Sequence, residues 1–129
     1  IGDYVTKGGY AEAIRVHQHF VVSIPDKLKS EEAAPLLCAG ITTYAPLYHF
    51  GVKKGDRVGI MGIGGLGHLA IQLAAAIGAQ VTAISTSNSK QEMAKNLGAT
   101  HFINSTDPKA LSQHEKYFDF ILNTVSGDL

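Results

Sequence analysis

Residues Gly62-Ile63-Gly64-Gly65-Leu66-Gly67 form a G-x-G-x-x-G loop between a strand-like run and a helix-like run. The chemistry such a loop offers is anion binding by backbone. The first glycine permits a tight turn out of a strand, the second lets a pyrophosphate approach the chain, and the third lets a helix pack closely. Gly62, Gly64 and Gly67 fill these places, and the helix beyond presents free N–H groups and its positive dipole end. The flanking strand and helix separate this pattern from a chance match. A ligand-free glycine turn, or a loop for another nucleotide-like ligand such as a methyl donor, are the competing readings.

A second group, Ser85-Thr86-Ser87-Asn88-Ser89-Lys90, lies where a dinucleotide unit ordinarily carries an Asp or Glu for the ribose 2′-hydroxyl, about 20 residues on. Between Arg57 and Gln91 the sequence has no acidic residue at all. A carboxylate would repel a 2′-phosphate, whereas Ser85, Thr86 and Ser87 can donate hydrogen bonds and Lys90 can supply charge. The segment therefore points to NADP(H) over NAD(H). Read blandly, it is a polar strand-to-helix loop with Ser89 as an N-cap and Lys90 solvated.

The elements that must hold these groups follow from pattern. Arg57-Val58-Gly59-Ile60-Met61 reads as a short strand buried on both faces. Leu66, Leu69, Ala70, Leu73, Ala74 and Ile77 mark a helical apolar stripe stopped by Gly78. Residues 80–84 form the next strand, 89–97 a helix closed by Gly98, and 101–103 a short strand. Asp107-Pro108 opens a weak helix, and residues 118–124 form a last apolar strand. This β-α-β-α-β-α-β order predicts an α/β fold, a Rossmann-type doubly wound parallel sheet of about four strands. A full sheet of this kind has six, in the order 3-2-1-4-5-6, so the strand near Phe120 is expected at an exposed or intermolecularly paired edge. Upstream, residues 10–25 alternate in apolar, β-branched and aromatic types and read as two short strands or a bent hairpin. Ser30-Glu31-Glu32 reads as a helix start, continuing from Ala33 to Phe50, broken near Pro35, disturbed at Pro46 and ending at Gly51.

At 129 residues, 45% hydrophobic and 17% charged, the chain suits a globular domain. Eleven basic residues balance eleven acidic ones, which removes any electrostatic case for nucleic acid or a membrane surface. The one cysteine, Cys38, cannot make an internal disulfide, and no leader pattern is visible. A cytoplasmic setting is the expectation, as is a longer protein of which this is a part. His17 and His19 would share one strand face. His68 would sit at the helix start, near enough to bond a cofactor or the backbone. His49, His101 and His114 show no companion pattern.

Three stretches together resemble one family: Ala33-Ala34-Pro35-Leu36-Leu37-Cys38-Ala39-Gly40-Ile41-Thr42-Thr43-Tyr44, the loop ending Gly67-His68, and Ser85-Thr86-Ser87. They resemble the zinc-dependent medium-chain alcohol dehydrogenases, specifically the cinnamyl-alcohol-dehydrogenase-like branch, from about Gly8 to Leu129. The resemblance implies that residues 1–37 end a catalytic-domain segment, contributing its short β portion. Residues 38–129 would then be an NADP-binding Rossmann domain, truncated at its C-terminal end. It implies that Cys38 is a catalytic zinc ligand in the full-length protein and that Thr42 contacts the cofactor near its nicotinamide end. Gly64, Gly65 and Leu66 would line the pyrophosphate. Ser85, Thr86, Ser87 and Lys90 would form the 2′-phosphate pocket.

The remaining zinc ligands and the proton relay would lie upstream. Because a catalytic zinc needs about three protein ligands, Cys38 is not expected to hold one within this stretch; outside the resemblance it reads as a buried small hydrophobe. The activity implied is hydride transfer between NADPH and an aldehyde, with zinc polarising the carbonyl. The substrate would be a small alcohol or aldehyde and the full-length protein a homodimer, with this stretch alone inactive. The alternatives are a zinc-free quinone or enoyl reductase of the same superfamily, against which Cys38 argues, and a non-catalytic dinucleotide-binding module.

Overall fold

The computed structural model describes residues 9–126 of the chain. Its centre is a four-stranded, all-parallel sheet in the order β3-β2-β1-β4. The strands are β1 (Arg57–Met61), β2 (Gln80–Ser85), β3 (His101–Asn104) and β4 (Phe120–Asn123). Helices α3 (Gly65–Ile77), α4 (Gln91–Asn96) and α5 (Pro108–Ser112) join them in turn, and α1 (Ser30–Ala33) and α2 (Ala39–His49) precede the sheet. This is the predicted α/β arrangement, and its order matches the first four positions of the doubly wound series.

The core explains why these segments fold so. Val58 and Ile60 of β1 and Val81 and Ala83 of β2 are fully buried, as are Ala70, Ile71 and Ala74 of α3. Small alanines at one helical spacing let α3 lie close to the sheet. The helix ends at Gly78, whose φ of +92° favours glycine. Ala79 N–H then donates to Ala74 O at 3.1 Å, closing the turn that feeds β2. Helix α2 packs along α3 and buries Leu47 and Thr43; the Thr43 hydroxyl is satisfied within its own helix by Ala39 O at 2.8 Å. Pro46 lies inside α2 without ending it, and a 3-10 turn, Ala34–Leu37, absorbs Pro35.

Two expectations need correction. Residues 10–25 form no strand or hairpin. They hold one 3-10 turn, Gln18–Phe20, and otherwise irregular chain. Alternation alone does not make a strand, because a ladder needs a partner, and among the described residues none lies beside this segment. Its Tyr10, Phe20, Val21 and Val22 stay exposed. His17 and His19 therefore share no strand face; His17 Nδ1 instead accepts the His19 N–H at 3.2 Å. Among the described residues strand β4 pairs only with β1 and is an edge, as expected.

Asp119 ties that edge down. Its carboxylate accepts from the Arg57 Nη2 at 2.8 Å, Nε at 3.1 Å and backbone N–H at 2.9 Å, while the Arg57 guanidinium lies over the Tyr117 ring. The side-chain hydrogen bonds from Arg57, then its backbone N–H, push the Asp119 carboxyl down from its ordinary 3.8 to about 2. A depressed carboxylate pKa stabilises the fold fully above the unfolded value and ceases to do so as pH falls toward the folded one. Unfolding midpoints should thus fall between about pH 4 and pH 2, and Asp119→Asn should flatten that decline. The pair is open to solvent, so added salt should shrink the difference.

Candidate functional site

The glycine loop leaves β1 at the C-terminal edge of the sheet, where ligands of doubly wound folds bind. Gly62 has φ +87°, and a Cβ there would stand 2.7 Å from Val125 Cγ2 and 3.0 Å from Thr124 Oγ1. A Cβ on Gly67 would overlap the Gly62 carbonyl oxygen. These two glycines are required by the chain's own packing. Gly64 and Gly65 differ: a Cβ at either meets no protein atom within 4 Å. Their side of the loop is open and has room for a ligand.

The first turn of α3 supports that reading. Gly64 precedes it in extended conformation with no side-chain cap, so the leading N–H groups have no capping side chain and remain for an anion. His68 is engaged with the loop's own backbone. Its N–H donates to Gly64 O at 3.0 Å and its Nδ1 lies 3.1 Å from the same oxygen, so the ring bonds backbone.

Parallel pairing brings the second group alongside. Met61 is in register with Ile84, and Gly62 N–H donates to Ile84 O at 2.9 Å, which sets Ser85 at the loop's shoulder. Ser85 is buried; its Oγ accepts from Ser87 N–H at 3.4 Å. Thr86 is exposed and Ser87 half-buried. The helix expected over 89–97 begins instead with a 3-10 turn, Asn88–Lys90, capped by Ser87, not Ser89. Ser87 Oγ accepts from Ser89 N–H at 3.3 Å, and the two hydroxyls are 2.8 Å apart. Lys90 is not simply solvated. Its Nζ donates to Ile63 O at 3.2 Å, across 27 residues, placing a cation between the two motifs.

Cys38 and Thr42 form a separate pair at the start of α2, where Thr42 N–H donates to Cys38 O at 3.0 Å. Both are exposed, so Cys38 is not the buried small hydrophobe that its type alone suggests. Among the described residues no hydrogen bond ties this pair to the glycine loop, and no three His, Cys, Asp or Glu side chains converge as a metal site. One thiolate does not fit a catalytic zinc by itself. An apolar cleft of about 490 Å³ lies between residues 22–25 and α2, lined by Ile24, Leu36, Ile41 and Tyr44 among others. It contains none of the candidate cofactor residues.

One contributor was not visible in the sequence. Thr124, just after β4, donates its hydroxyl to Met61 O at 2.7 Å and its N–H to the same oxygen at 3.0 Å, clasping the start of the loop. The order 3-2-1-4 was the signal, since it sets the end of β4 beside the end of β1.

No helix among the described residues is long and apolar enough to cross a membrane. Among curated proteins the chain is 54% identical over 124 residues to a probable formaldehyde dehydrogenase of Bacillus subtilis, covering 96% of this chain and 36% of that protein. It is 49% identical, with the same coverage, to NADP-dependent alcohol dehydrogenase C 1 of Mycolicibacterium smegmatis. Among solved structures, a cinnamyl alcohol dehydrogenase of Sorghum bicolor superposes with a TM-score of 0.84 at 41% identity, over 88% of this chain and 33% of that one. The chain thus spans about a third of the length of the curated relatives it matches. The zinc-binding dehydrogenase model matches residues 65–129, half of the chain, beginning inside the glycine loop at Gly65. Loop, sheet order and relatives agree: the chain belongs to the zinc-binding dehydrogenase family.

Proposed function

We propose that the full-length protein is an NADP(H)-dependent alcohol dehydrogenase or aldehyde reductase, and that this chain supplies much of its cofactor floor. The observation that carries the cofactor assignment is the pairing of an open glycine loop with an acid-free segment whose Lys90 amine reaches that loop. The residues fit the group. Gly64, Gly65 and the first turn of α3 offer N–H groups to a pyrophosphate in space no side chain fills. Ser85, Thr86, Ser87 and Lys90 offer hydroxyls and a positive charge to a 2′-phosphate, with no carboxylate to repel it. When bound, the cofactor carries the hydride chemistry; the chain's own task is to bind and orient it. The name of the mycobacterial relative supports the choice of NADP.

For zinc, Cys38 is the one donor this chain offers in the proposal, and about two further protein ligands must come from outside it. Cys38 is exposed at the start of α2, which leaves its thiol accessible to such a site. The substrate class is a small alcohol or aldehyde, in line with the names of the relatives. The test is steady-state aldehyde reduction by the full-length protein with each cofactor. NADPH should give a kcat/KM at least about tenfold above NADH, the size of one charge-assisted hydrogen bond. A preference for NADH would reject the assignment of Ser85 to Lys90.

A further inference from the structure

The Ser85–Lys90 segment has an anchor on β3. Asn104, the last residue of that strand, is in register with Ser85, and the next residue's N–H, that of Ser105, donates to Ser85 O at 2.9 Å. The Asn104 side chain makes a second attachment. Its Oδ1 accepts from Thr106 N–H at 2.9 Å and from Thr106 Oγ1 at 2.7 Å. A backbone N–H can only donate, so the oxygen must face Thr106 and the amide nitrogen must face the other way. There Nδ2 donates to Asn88 Oδ1 at 2.9 Å. Asn88 opens the 3-10 turn that ends in Lys90.

We propose that Asn104 is a positioning residue for cofactor selectivity, holding the Asn88–Lys90 turn through Asn88 so that Lys90 and the Ser87 and Ser89 hydroxyls face a 2′-phosphate. The proposal rests on the NADP(H) reading of Ser85 to Lys90. The turn is three residues long and exposed, so each free side chain there would lose rotamer freedom on binding. Asn104 removes part of that ordering cost beforehand. An amide does this without adding negative charge beside a phosphate, which a carboxylate would do. NADH presents a 2′-hydroxyl and no phosphate to this turn, so its binding depends less on how well the turn is held.

The experiment is calorimetric titration of the full-length protein and its variants with NADPH and with NADH. Asn104→Ala should raise the NADPH Kd about fivefold, the effect of one net hydrogen bond, and leave the NADH Kd within about twofold. Asn88→Ala, which removes the other half of the same hydrogen bond at an exposed site, should do the same. The double variant should be no worse than either single one, because both remove one interaction. Unchanged NADPH binding in both single variants, equal losses for the two cofactors, or fully additive effects would each overturn the proposal. Lys90→Ala separates it from its foundation. If that variant keeps its NADPH affinity, the pocket reading itself fails; if it loses affinity while Asn104→Ala does not, only the positioning role fails.

Discussion

Replacing Gly67 by alanine should cost about 3 kcal/mol of stability, the upper end for overpacking, and should abolish measurable NADPH binding. The added methyl would overlap the Gly62 carbonyl oxygen. Relief needs either a tilt of α3 away from the sheet or a rotation of the Gly62 peptide. The first would open the contacts of Ala70, Ile71 and Ala74, all fully buried. The second would move Gly62 O away from the Thr124 hydroxyl at 3.4 Å and strain the adjoining peptide, which is held by Gly62 N–H on Ile84 O and by Thr124 on Met61 O. Gly65→Ala is the contrast. Its Cβ meets no protein atom within 4 Å, and alanine is the better helix former by about 1 kcal/mol, so stability should hold or rise. NADPH affinity should nevertheless fall, because the methyl enters the space assigned to the pyrophosphate. Denaturant midpoints and NADPH titrations of the two variants check this. Equal stability loss in both would refute the division into packing glycines and ligand-facing glycines.

That division was half legible beforehand. The spacing of Gly62, Gly64 and Gly67 states that backbone must turn, approach and pack, and each demand is local, so sequence reveals it. The strands of residues 57–123 were legible for the same reason: short apolar runs punctuated by Gly78, Gly98 and Asp107-Pro108 leave little freedom of assignment. What lay beyond reach was contact between distant positions. Thr124 meets Met61 across 63 residues and Asn104 meets Asn88 across 16, and only the order of the sheet puts them together. Lys90 belonged to the polar segment by type, but its reach to Ile63 O depends on where the turn sits. Residues 10–25 failed in the opposite way. Their alternation is that of a strand, yet pairing is a property of two segments, and one sequence run does not report whether a second lies beside it; among the described residues none does.

Cofactor preference should invert when Ser85→Asp is combined with Lys90→Ala. Ser85 closes β2 beside the glycine loop, the place from which an acid would reach a ribose 2′-hydroxyl. A carboxylate there would repel the 2′-phosphate, and removing Lys90 deletes a charge-assisted hydrogen bond worth about 1.5–3 kcal/mol. Together these should raise the NADPH Kd about 100-fold or more. NADH should bind as well as before or a few-fold tighter, since the new carboxylate can accept from its 2′-hydroxyl. Near-complete burial of Ser85 is the risk, because an unpaired buried carboxylate is costly. The Ser87 N–H that now approaches Ser85 Oγ at 3.4 Å gives it one partner, and the NADH arm shows whether the site still forms. Lys90→Ala alone separates two roles for the amine. If Lys90 only pins the loop through Ile63 O, both cofactors weaken alike; if it meets the 2′-phosphate, NADPH weakens and NADH does not. Retention of NADPH preference by the double variant, with NADH binding intact, would show that the 2′-phosphate is held elsewhere.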